Sequence, residues 1–213
     1  MPVPASNGPP PADLSEFAPA KLNLALHVRS RRPDGYHALE TLFVFCADIG
    51  DRLSAAPADG ISLTLTGPEA AALAGEGDNL VLRAAHLLAG AAGVDAGARL
   101  TLDKRLPVAS GIGGGSADAA AALRLLDRLW GLGWGLERLT PLAARLGADV
   151  PACLHGRTAL GRGVGEVLDV MASPWPGAAL LLANCRQPVS TAAVFAAWDG
   201  IDRGPLDLTR PAA

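Results

Sequence analysis

Apolar and polar residues alternate with a period of two along residues 18–29 of the chain. Such a period is typical of a β-strand, because successive side chains point to opposite faces of the sheet. One face carries Leu22, Leu24, Leu26 and Val28, and the other carries Lys21, Asn23, Ala25, His27 and Arg29. We therefore predict a half-buried strand. Its polar face begins with a lysine and an asparagine that point the same way, towards either a ligand or solvent.

Turn signals and short apolar runs predict further strands. The Asp34-Gly35 pair supplies a chain reversal, so the first strand and an extended segment at residues 39–45 form a hairpin. Later in the chain, a pair of extended segments folds around Arg162-Gly163. The other predicted strands cover residues 51–54, 61–66 and 99–102, and a buried strand covers residues 178–183.

Helical periodicity dominates the middle of the chain. Asp78 and Asn79 are candidate caps of one helix, and Leu123, Leu126 and Trp130 form the apolar stripe of another. Helices are predicted over residues 80–92, 117–130 and 136–146, with a short fourth helix started by Pro151. Strands followed by amphipathic helices favour an α/β (α+β) fold in which the helices cover a sheet.

The composition is that of a folded globular protein. With 50% hydrophobic and 18% charged residues among 213, the chain can bury a sizeable core. A net charge of −3 leaves no basic surplus, which argues against a nucleic-acid partner. Cys46, Cys153 and Cys185 are odd in number and form no C-x-x-C pair, so we predict reduced thiols and no protein-held metal site.

The N-terminal residues show no signal-peptide pattern, and the apolar runs are short. The first residues, M-P-V-P-A-S-N-G-P-P-P-A-D, contain no basic or apolar signal region, and no apolar run approaches membrane-spanning length. We expect a cytoplasmic protein without membrane contact that is a monomer or a weak homodimer. Residues 1–15 are expected to form a disordered leader.

A glycine-rich segment at residues 107–117, P-V-A-S-G-I-G-G-G-S-A, precedes the longest predicted helix. Glycines let the backbone lie close to a ligand, and a helix start offers unpaired N–H groups, so the segment suits a phosphate. It lacks the Gly-Lys-Ser/Thr of a Walker A loop, and its contiguous glycines depart from G-x-G-x-x-G. A flexible connector is the alternative.

Four motifs together resemble the GHMP small-molecule kinases. They are P-A-K-L-N-L at 19–24, D-G-Y-H at 34–37, L-P-V-A-S-G-I-G-G-G-S-A-D-A-A at 106–120 and G-A-D-V-P at 147–151. The resemblance covers roughly residues 17–199. It implies a GHMP N-terminal, ATP-binding domain over residues 16–172 with a ribosomal-S5-like two-layer fold. Residues 173–213 would begin the C-terminal domain, which lacks the family's second glycine-rich motif here and is expected to be truncated.

The resemblance also implies an activity. D-G-Y-H after P-A-K-L-N-L, with G-x-G-V-G-E at 161–166, is similar to the branch that uses ATP and Mg²⁺ to phosphorylate the 2-hydroxyl of a cytidine diphosphate-linked methylerythritol, a step towards isoprenoid precursors. D-G-Y-H discriminates against kinases of homoserine or mevalonate. Another GHMP kinase, or a catalytically inactive nucleotide-binding module, remains an alternative.

Site residues follow from the same resemblance. Lys21 and Asp149 are expected to be catalytic, with Asp149 as general base or orienting acceptor; an exposed strand lysine and a helix N-cap are the alternatives. The Ser116 hydroxyl would cap the helix or touch Mg²⁺. Ala117 replaces a second serine of the family, so one phosphate or metal contact is either missing or supplied by Asp118 or water. ATP contacts are expected from Pro107, Val108, Ala109, Ser110, Gly111, Ile112, Gly113, Gly114, Gly115, Ser116 and Ala117. Substrate contacts are expected from Asn23, Tyr36, His37, Phe43, Thr191 and Phe195, with Phe43 and Phe195 as aromatic walls.

Overall fold

A computed structural model describes residues 14–75, 78–173, 175–185, 187 and 189–208 of the chain. The predicted leader, residues 1–15, lies outside the described residues except at Leu14 and Ser15. These two residues begin the first strand and pair with Ala55 and Ser54, so the leader prediction is wrong at its last two positions.

Six strands and five α-helices make up the described part of the chain. The strands are β1 (Leu14–Arg31), β2 (His37–Ala58), β3 (Ile61–Thr66), β4 (Gly97–Asp103), β5 (Ala159–Gly163) and β6 (Val167–Val170). The helices are α1 (Leu80–Ala92), α2 (Gly114–Leu129), α3 (Gly135–Leu146), α4 (Val150–His155) and α5 (Thr191–Ala196), with a short 3₁₀ turn at Ala70–Leu73. The strands form one sheet in the order β3-β4-β2-β5-β6, and β1 pairs with β2.

Helices α1 to α4 form the second layer of the fold. Helix α2 lies at the centre of this layer and packs on β1 and β2, while the other three pack around it. Its first half is buried on all sides, from Ala117 to Leu123, because a run of alanines lets neighbouring elements approach closely. Helix α1 begins as predicted, since the Asn79 side chain accepts a hydrogen bond from the Val81 N–H at 2.9 Å.

The first strand reverses the burial that its alternation indicated. Leu24 and Leu26 are 41% and 40% exposed, whereas Lys21 is only 2% exposed. Register shifts between Pro19 and Lys21 and between Asn23 and Ala25 interrupt the pairing with β2. Such bulges re-aim side chains, which a strict period of two cannot anticipate. The polar face that begins at Lys21 therefore starts inside the molecule, because Lys21 is buried.

Three strand predictions need correction. Residues 39–45 and 51–54 belong to the single long strand β2, and the last reversal lies at residues 164–166 instead of Arg162-Gly163. The predicted buried strand at 178–183 is not a strand, and Leu181 there is 94% exposed. An apolar run becomes a buried strand only where it pairs with the edge of a sheet. Residues 178–183 do not pair with the outer edge of β6, which among the described strands pairs with β5 alone.

The structure also bears on the predictions of reduced thiols and of no membrane contact. All three cysteines are free, with Cys46 and Cys153 buried and Cys185 exposed. Within residues 14–208, apart from the undescribed positions, no helix combines the length and apolarity needed to cross a bilayer.

Candidate active site

The glycine-rich segment is a loop that joins β4 to the start of α2. Gly113 has a φ of +68° and precedes the helix, and a side chain there would lie 3.0 Å from Cε of Lys21. Only glycine meets both conditions. The loop is also tied to β1, because the Lys21 backbone N–H donates to the Ile112 carbonyl at 2.9 Å. The loop is therefore an ordered part of the sheet's edge.

The start of α2 offers backbone donors to a ligand. The first helical hydrogen bond runs from the Ala117 N–H to the Gly113 carbonyl at 2.8 Å. The N–H groups of Gly114, Gly115 and Ser116 consequently have no acceptor within the helix. Ser116 is the third helical residue, and the N-cap is Gly113 without a side-chain bond, so the capping role predicted for Ser116 is wrong.

Lys21 and Asp149 meet beside this loop although 128 positions separate them. The Lys21 ammonium donates to Oδ2 of Asp149 at 2.9 Å. The lysine side chain is 3% exposed and the carboxylate 39% exposed, so the pair is anchored in protein and open on one side. Asp149 occupies the N-cap position of α4, but its side chain makes no capping bond there. The carboxylate is thus committed to Lys21 and to the open side.

A chain of hydrogen bonds orients the lysine. The Thr41 hydroxyl donates to the Ala25 carbonyl at 2.9 Å and accepts from the Asn23 amide at 2.7 Å. This fixes the Asn23 oxygen, which accepts from Lys21 at 3.0 Å. Sequence reasoning missed Thr41, a polar residue in an otherwise apolar strand segment.

Phe43 lies beneath the same lysine. Its ring is 1% exposed, and the Lys21 nitrogen stands 4.8 Å from the ring centre, within cation–π range. The ring has room there because Gly161, on the neighbouring strand, has no side chain; a Cβ would lie 2.6 Å from it. Phe43 therefore supports Lys21, and its role as an aromatic wall for the substrate stays a prediction.

Helix α2 also holds the helix that carries Asp149. Arg124, on α2, donates to the carbonyls of Cys153 and Leu154 at 2.9 and 3.0 Å, near the C-terminal end of α4. Its other guanidinium nitrogen pairs with Glu16 on β1 at 2.7 Å. One helix thus positions both the glycine loop at its own start and Asp149 at the start of α4.

A buried group of charges that sequence reasoning missed lies under the loop. We call Asp51, Lys104 and Asp118 the Lys104 cluster. The Lys104 ammonium donates to both carboxylates at 2.6 Å, and Asp51 also accepts from the backbone N–H groups of Arg105 and Leu106. Oδ2 of Asp118 is engaged by Lys104 and Oδ1 has no hydrogen-bond partner among the described residues, so the suggestion that Asp118 supplies the contact of the family's second serine stays a prediction. The signal in the sequence was a carboxylate inside an alanine run.

Burial changes the proton affinities in the Lys104 cluster. It raises the pKa of Asp118 from 3.8 to about 7, the nearby charge of Asp51 adds to the rise, and Lys104 opposes it. Burial alone would lower the pKa of Lys104, but the two carboxylates raise it above its usual value. Near neutral pH, Asp118 therefore lies close to the midpoint of its titration.

Asp118 should make stability depend on pH. Its folded pKa of about 7 lies above the ordinary 3.8, so the folded chain holds a proton that the unfolded chain has lost between these values. Its stabilising contribution is present below pH 4 and is lost as the pH rises to 7, by up to roughly 1 kcal/mol per pH unit. Urea unfolding of the wild type and Asp118→Asn should show the wild type losing stability relative to the variant across this range. Parallel pH profiles would contradict the assignment.

Aromatic side chains gather where the start of β2 meets α5 and the residues that follow it. The rings of His37 and Phe195 stack at 5.2 Å, and Trp198 meets His37 edge-on at 5.6 Å. Tyr36 is 61% exposed next to them. Thr191 is the first residue of α5, the helix that carries Phe195. The structure thus brings His37 and Phe195 together, while Tyr36 stays open to solvent.

The segment after α5 is held on the β1–β2 hairpin. His27 Nδ1 lies 2.8 Å from the Gly204 carbonyl, and Arg29 donates to Asp202 at 2.8 Å. The hydrogen bond from Arg29 lowers the pKa of Asp202. Glu40 accepts from the Leu206 N–H at 2.8 Å. These contacts keep the α5 region beside the hairpin turn that carries Tyr36 and His37.

A single cleft of about 1620 Å³ connects these groups. Its lining includes the glycine loop, Ser116, the Lys21–Asp149 pair and the His37–Phe195 stack. A volume of this size accommodates two ligands, since sites for one small molecule measure roughly 300–1,000 Å³. The cleft thus joins the glycine loop and the adjoining Lys21–Asp149 pair to an aromatic end formed by the His37–Phe195 stack.

Known proteins share this arrangement of motifs. The model of the GHMP kinases N terminal domain matches residues 79–157. A 4-diphosphocytidyl-2-C-methyl-D-erythritol kinase of Rhizorhabdus wittichii is 54% identical over 202 residues, which are 93% of this chain and 68% of that protein. The chain belongs to the 4-diphosphocytidyl-2-C-methyl-D-erythritol kinase family. A family member of Cereibacter sphaeroides is 56% identical over 191 residues, covering 89% of this chain and 65% of the relative. The chain thus spans about two thirds of the length of these relatives.

Solved structures agree with this family assignment. A crystal structure of a 4-(cytidine 5'-diphospho)-2C-methyl-D-erythritol kinase is 43% identical with a TM-score of 0.64, over 79% of this chain and 61% of that one. A homoserine kinase from Cytophaga hutchinsonii, 24% identical with a TM-score of 0.55 over 77% and 52% of the two chains, shows the shared fold alone. The predicted fold, a GHMP N-terminal domain of mixed α and β structure, is confirmed.

Proposed function

We propose that this chain carries the ATP site and the catalytic pair of a kinase that phosphorylates the 2-hydroxyl of 4-diphosphocytidyl-2-C-methyl-D-erythritol, in the non-mevalonate route to isoprenoid precursors. The observation that carries the proposal is the 2.9 Å contact of Lys21 with Asp149 beside the start of α2. The names of the relatives support the choice of substrate.

Phosphoryl transfer requires positioning and charge stabilisation more than covalent help from the protein. The N–H groups of Gly114 to Ser116 would hold phosphate oxygens of ATP at the helix start, where the helix dipole favours negative charge. Lys21 would approach the transferring γ-phosphate from the other side and stabilise the charge on its oxygens. The acceptor hydroxyl would lie next to Asp149, in line with the phosphorus.

The transfer of the phosphoryl group requires that the acceptor hydroxyl lose one proton. A bond forms between the acceptor oxygen and the γ-phosphorus as the bond from that phosphorus to the β–γ bridging oxygen breaks, so that ADP leaves. Asp149 accepts the hydroxyl proton or orients it in the ground state. Lys21 would favour the alkoxide character of the acceptor, because its ammonium already contacts the same carboxylate.

The oxygen donors in the cleft fit a magnesium ion that arrives with ATP. Mg²⁺ binds phosphate oxygens and few protein oxygens. Among the described residues, no group of three His, Cys, Asp or Glu side chains could hold a metal by itself. Ser116, the third residue of α2, lines the cleft, and its hydroxyl oxygen would be a ligand of the Mg²⁺ ion that the phosphates hold. The ion would neutralise charge on the phosphates.

The aromatic end of the cleft suits the cytidine. Pyrimidine rings stack on flat side chains, and a histidine can hydrogen-bond a base edge. His37, Phe195 and the exposed Tyr36 provide these groups, and Asn23 and Thr191 also line the cleft. One cleft would then hold the phosphates of a nucleotide at its glycine loop and a nucleoside-linked alcohol at its aromatic end, with Lys21 and Asp149 in the same cleft.

Phe195→Ala should weaken substrate binding selectively. Loss of a stacking partner is expected to raise KM for the cytidine-linked alcohol roughly tenfold to a hundredfold, and to leave KM for ATP unchanged. Steady-state kinetics with each substrate varied in turn measures this split. Ile201→Ala, in the exposed segment after α5 and outside the lining of the cleft, is the control. An equal rise in both KM values would show that Phe195 supports the fold rather than the base.

We also infer that residues 16–172 form the ATP-binding domain and that a second domain begins at residue 173. The match to the N-terminal domain model and the six-stranded sheet, which ends at Val170, support this boundary. Limited proteolysis should cut after residue 172 and leave the preceding residues intact. Early cleavage inside β2 or α2 would contradict the boundary.

The proposed activity is tested by ADP release with the 213-residue chain, ATP and Mg²⁺. Turnover with 4-diphosphocytidyl-2-C-methyl-D-erythritol supports the proposal. Turnover with homoserine or mevalonate, and none with the cytidine-linked alcohol, would move the chain to another GHMP activity. Calorimetry with ATP would distinguish a binding module, which takes up nucleotide without releasing ADP.

A further inference from the structure

The Lys104 cluster joins the two ends of the glycine loop. On the strand side, Asp51 Oδ1 accepts from the backbone N–H groups of Arg105 and Leu106 at 2.6 and 2.8 Å. On the helix side, Asp118 belongs to the second turn of α2. Lys104 bridges the two carboxylates with contacts of 2.6 Å each. One ammonium thus fixes where the loop leaves the sheet relative to where it enters the helix.

We propose that the Lys104 cluster sets the shape of the phosphate-binding loop, and that Asp118 is a positioning residue for the nucleotide that does not touch it. This inference rests on the proposed function, because it assumes that the loop holds the phosphates of ATP. It assigns a role to three buried side chains that take no part in the transfer itself.

The position of the ammonium supports this role. Lys104 Nζ lies 3.0 Å from the point that a Cβ at Gly114 would occupy, so it rests against the first residue of α2. The N–H groups expected to bind phosphate begin at this residue. In the middle of the loop, the Lys21–Ile112 backbone bond ties the chain to β1. Without the link to Asp118, the start of the helix could move relative to both anchors.

The Lys104 cluster also carries a free-energy cost, because its charges are removed from water. Two carboxylates share one ammonium, and Oδ1 of Asp118 is buried with no hydrogen-bond partner in the described part of the chain. An apolar residue would occupy the same space at lower cost, since buried ion pairs often stabilise less than well-packed apolar side chains. A buried carboxylate at this position therefore indicates a demand for directed contacts, which suits a loop whose geometry must be fixed.

Asp118 can be removed without leaving an unpaired charge. In Asp118→Ala, Lys104 keeps Asp51 as its partner, and the remaining pair is neutral. In Asp118→Asn, the amide oxygen can still accept from Lys104, so the link is preserved. Asp127→Ala is the matched control, because Asp127 lies on the same helix and accepts from the Trp134 N–H at 2.9 Å, away from the loop.

The test measures the loop and the nucleotide separately in the 213-residue chain. Hydrogen exchange of the free protein should show the two amides that hydrogen-bond to the loop, those of Lys21 and Ala117, exchanging at least about tenfold faster in Asp118→Ala than in the wild type. In Asp118→Ala, the affinity for a non-hydrolysable ATP analogue, measured in the presence of Mg²⁺, should fall about tenfold. This fall is equivalent to the loss of one charge-assisted hydrogen bond. KM for the alcohol should not change. Asp118→Asn should restore both values, and Asp127→Ala should leave both as in the wild type.

The outcomes separate this inference from the proposed function. Wild-type exchange rates at the Lys21 and Ala117 amides of Asp118→Ala would overturn the positioning role, whatever the nucleotide does. Equal loosening of the loop by Asp127→Ala would overturn it too, because the effect would then be general to α2. If the unaltered chain binds no ATP analogue, the proposed function fails, while the exchange comparison still decides whether the cluster shapes the loop.

Discussion

Asp149→Asn is expected to lower kcat on the order of a thousandfold, with little change in KM for ATP. Asparagine has nearly the same shape, and its amide oxygen can still accept the hydrogen bond that Lys21 donates at 2.9 Å. It cannot take a proton from the acceptor hydroxyl at neutral pH. The variant therefore removes the proton acceptor and keeps the geometry, which isolates the chemical step.

Single-turnover phosphorylation with ATP and the cytidine-linked alcohol measures this loss. Asp127→Asn provides the control, because it makes the same change in a carboxylate of α2 that contacts the Trp134 N–H instead of the cleft. A near-normal kcat in Asp149→Asn would contradict both the general-base and the orienting role. A loss of only about tenfold would favour orientation, since the amide can still accept from the hydroxyl.

The Lys21–Asp149 pair illustrates what the sequence could predict. Lys21 and Asp149 are predicted from motifs alone. Strand alternation shows that Lys21 lies on a polar face but names no partner for it, and helix periodicity shows only that Asp149 lies where a helix ends. Their meeting depends on α2, which lies under β1 and holds α4 through Arg124. Such long-range packing is not visible in a local pattern. The motifs supplied it only because they resemble a family whose fold is shared.

The errors have physical causes of the same kind. The buried face of β1 was misjudged because bulges near Lys21 and Asn23 change which side chains point inward. Ser116 was expected to cap a helix that in fact begins at Gly114, since glycines at a helix start give no sign of where the helix turns begin. Residues 178–183 are apolar, but burial requires a neighbour that the local sequence does not specify.

The Lys104 cluster was missed because each of its members looks ordinary alone. Asp51 follows a glycine in a strand, Lys104 comes directly after another strand, and Asp118 stands in a helix, so each alone is typical of a residue facing solvent. Only the fold places them within 2.6 Å contacts of one another. A charged residue within a run of small apolar ones, as at Asp118, is the one local signal that a partner had to exist.

Lys104→Met should therefore be the most destabilising of the substitutions considered for this chain. Methionine fills a similar volume but leaves Asp51 and Asp118 buried without their cation, and removal of one partner from a buried ion pair costs about 3–5 kcal/mol. Urea unfolding at pH 7 should show this loss. Arg105→Met, which breaks the exposed pair with Asp103 at 2.8 Å, should cost less than about 1 kcal/mol.

The size of the Lys104→Met effect should depend on the second carboxylate. In Lys104→Met combined with Asp118→Leu, one buried carboxyl group without its cation is gone, so the double variant should regain part of the lost stability. Raising the pH from 7 to 9 should deepen the loss in the single variant, because without Lys104 the pKa of Asp118 rises further, and its ionisation above pH 7 adds an uncompensated buried charge. A single variant as stable as Arg105→Met at pH 7 would mean that water reaches the two carboxylates, and that Lys104 does not hold the loop.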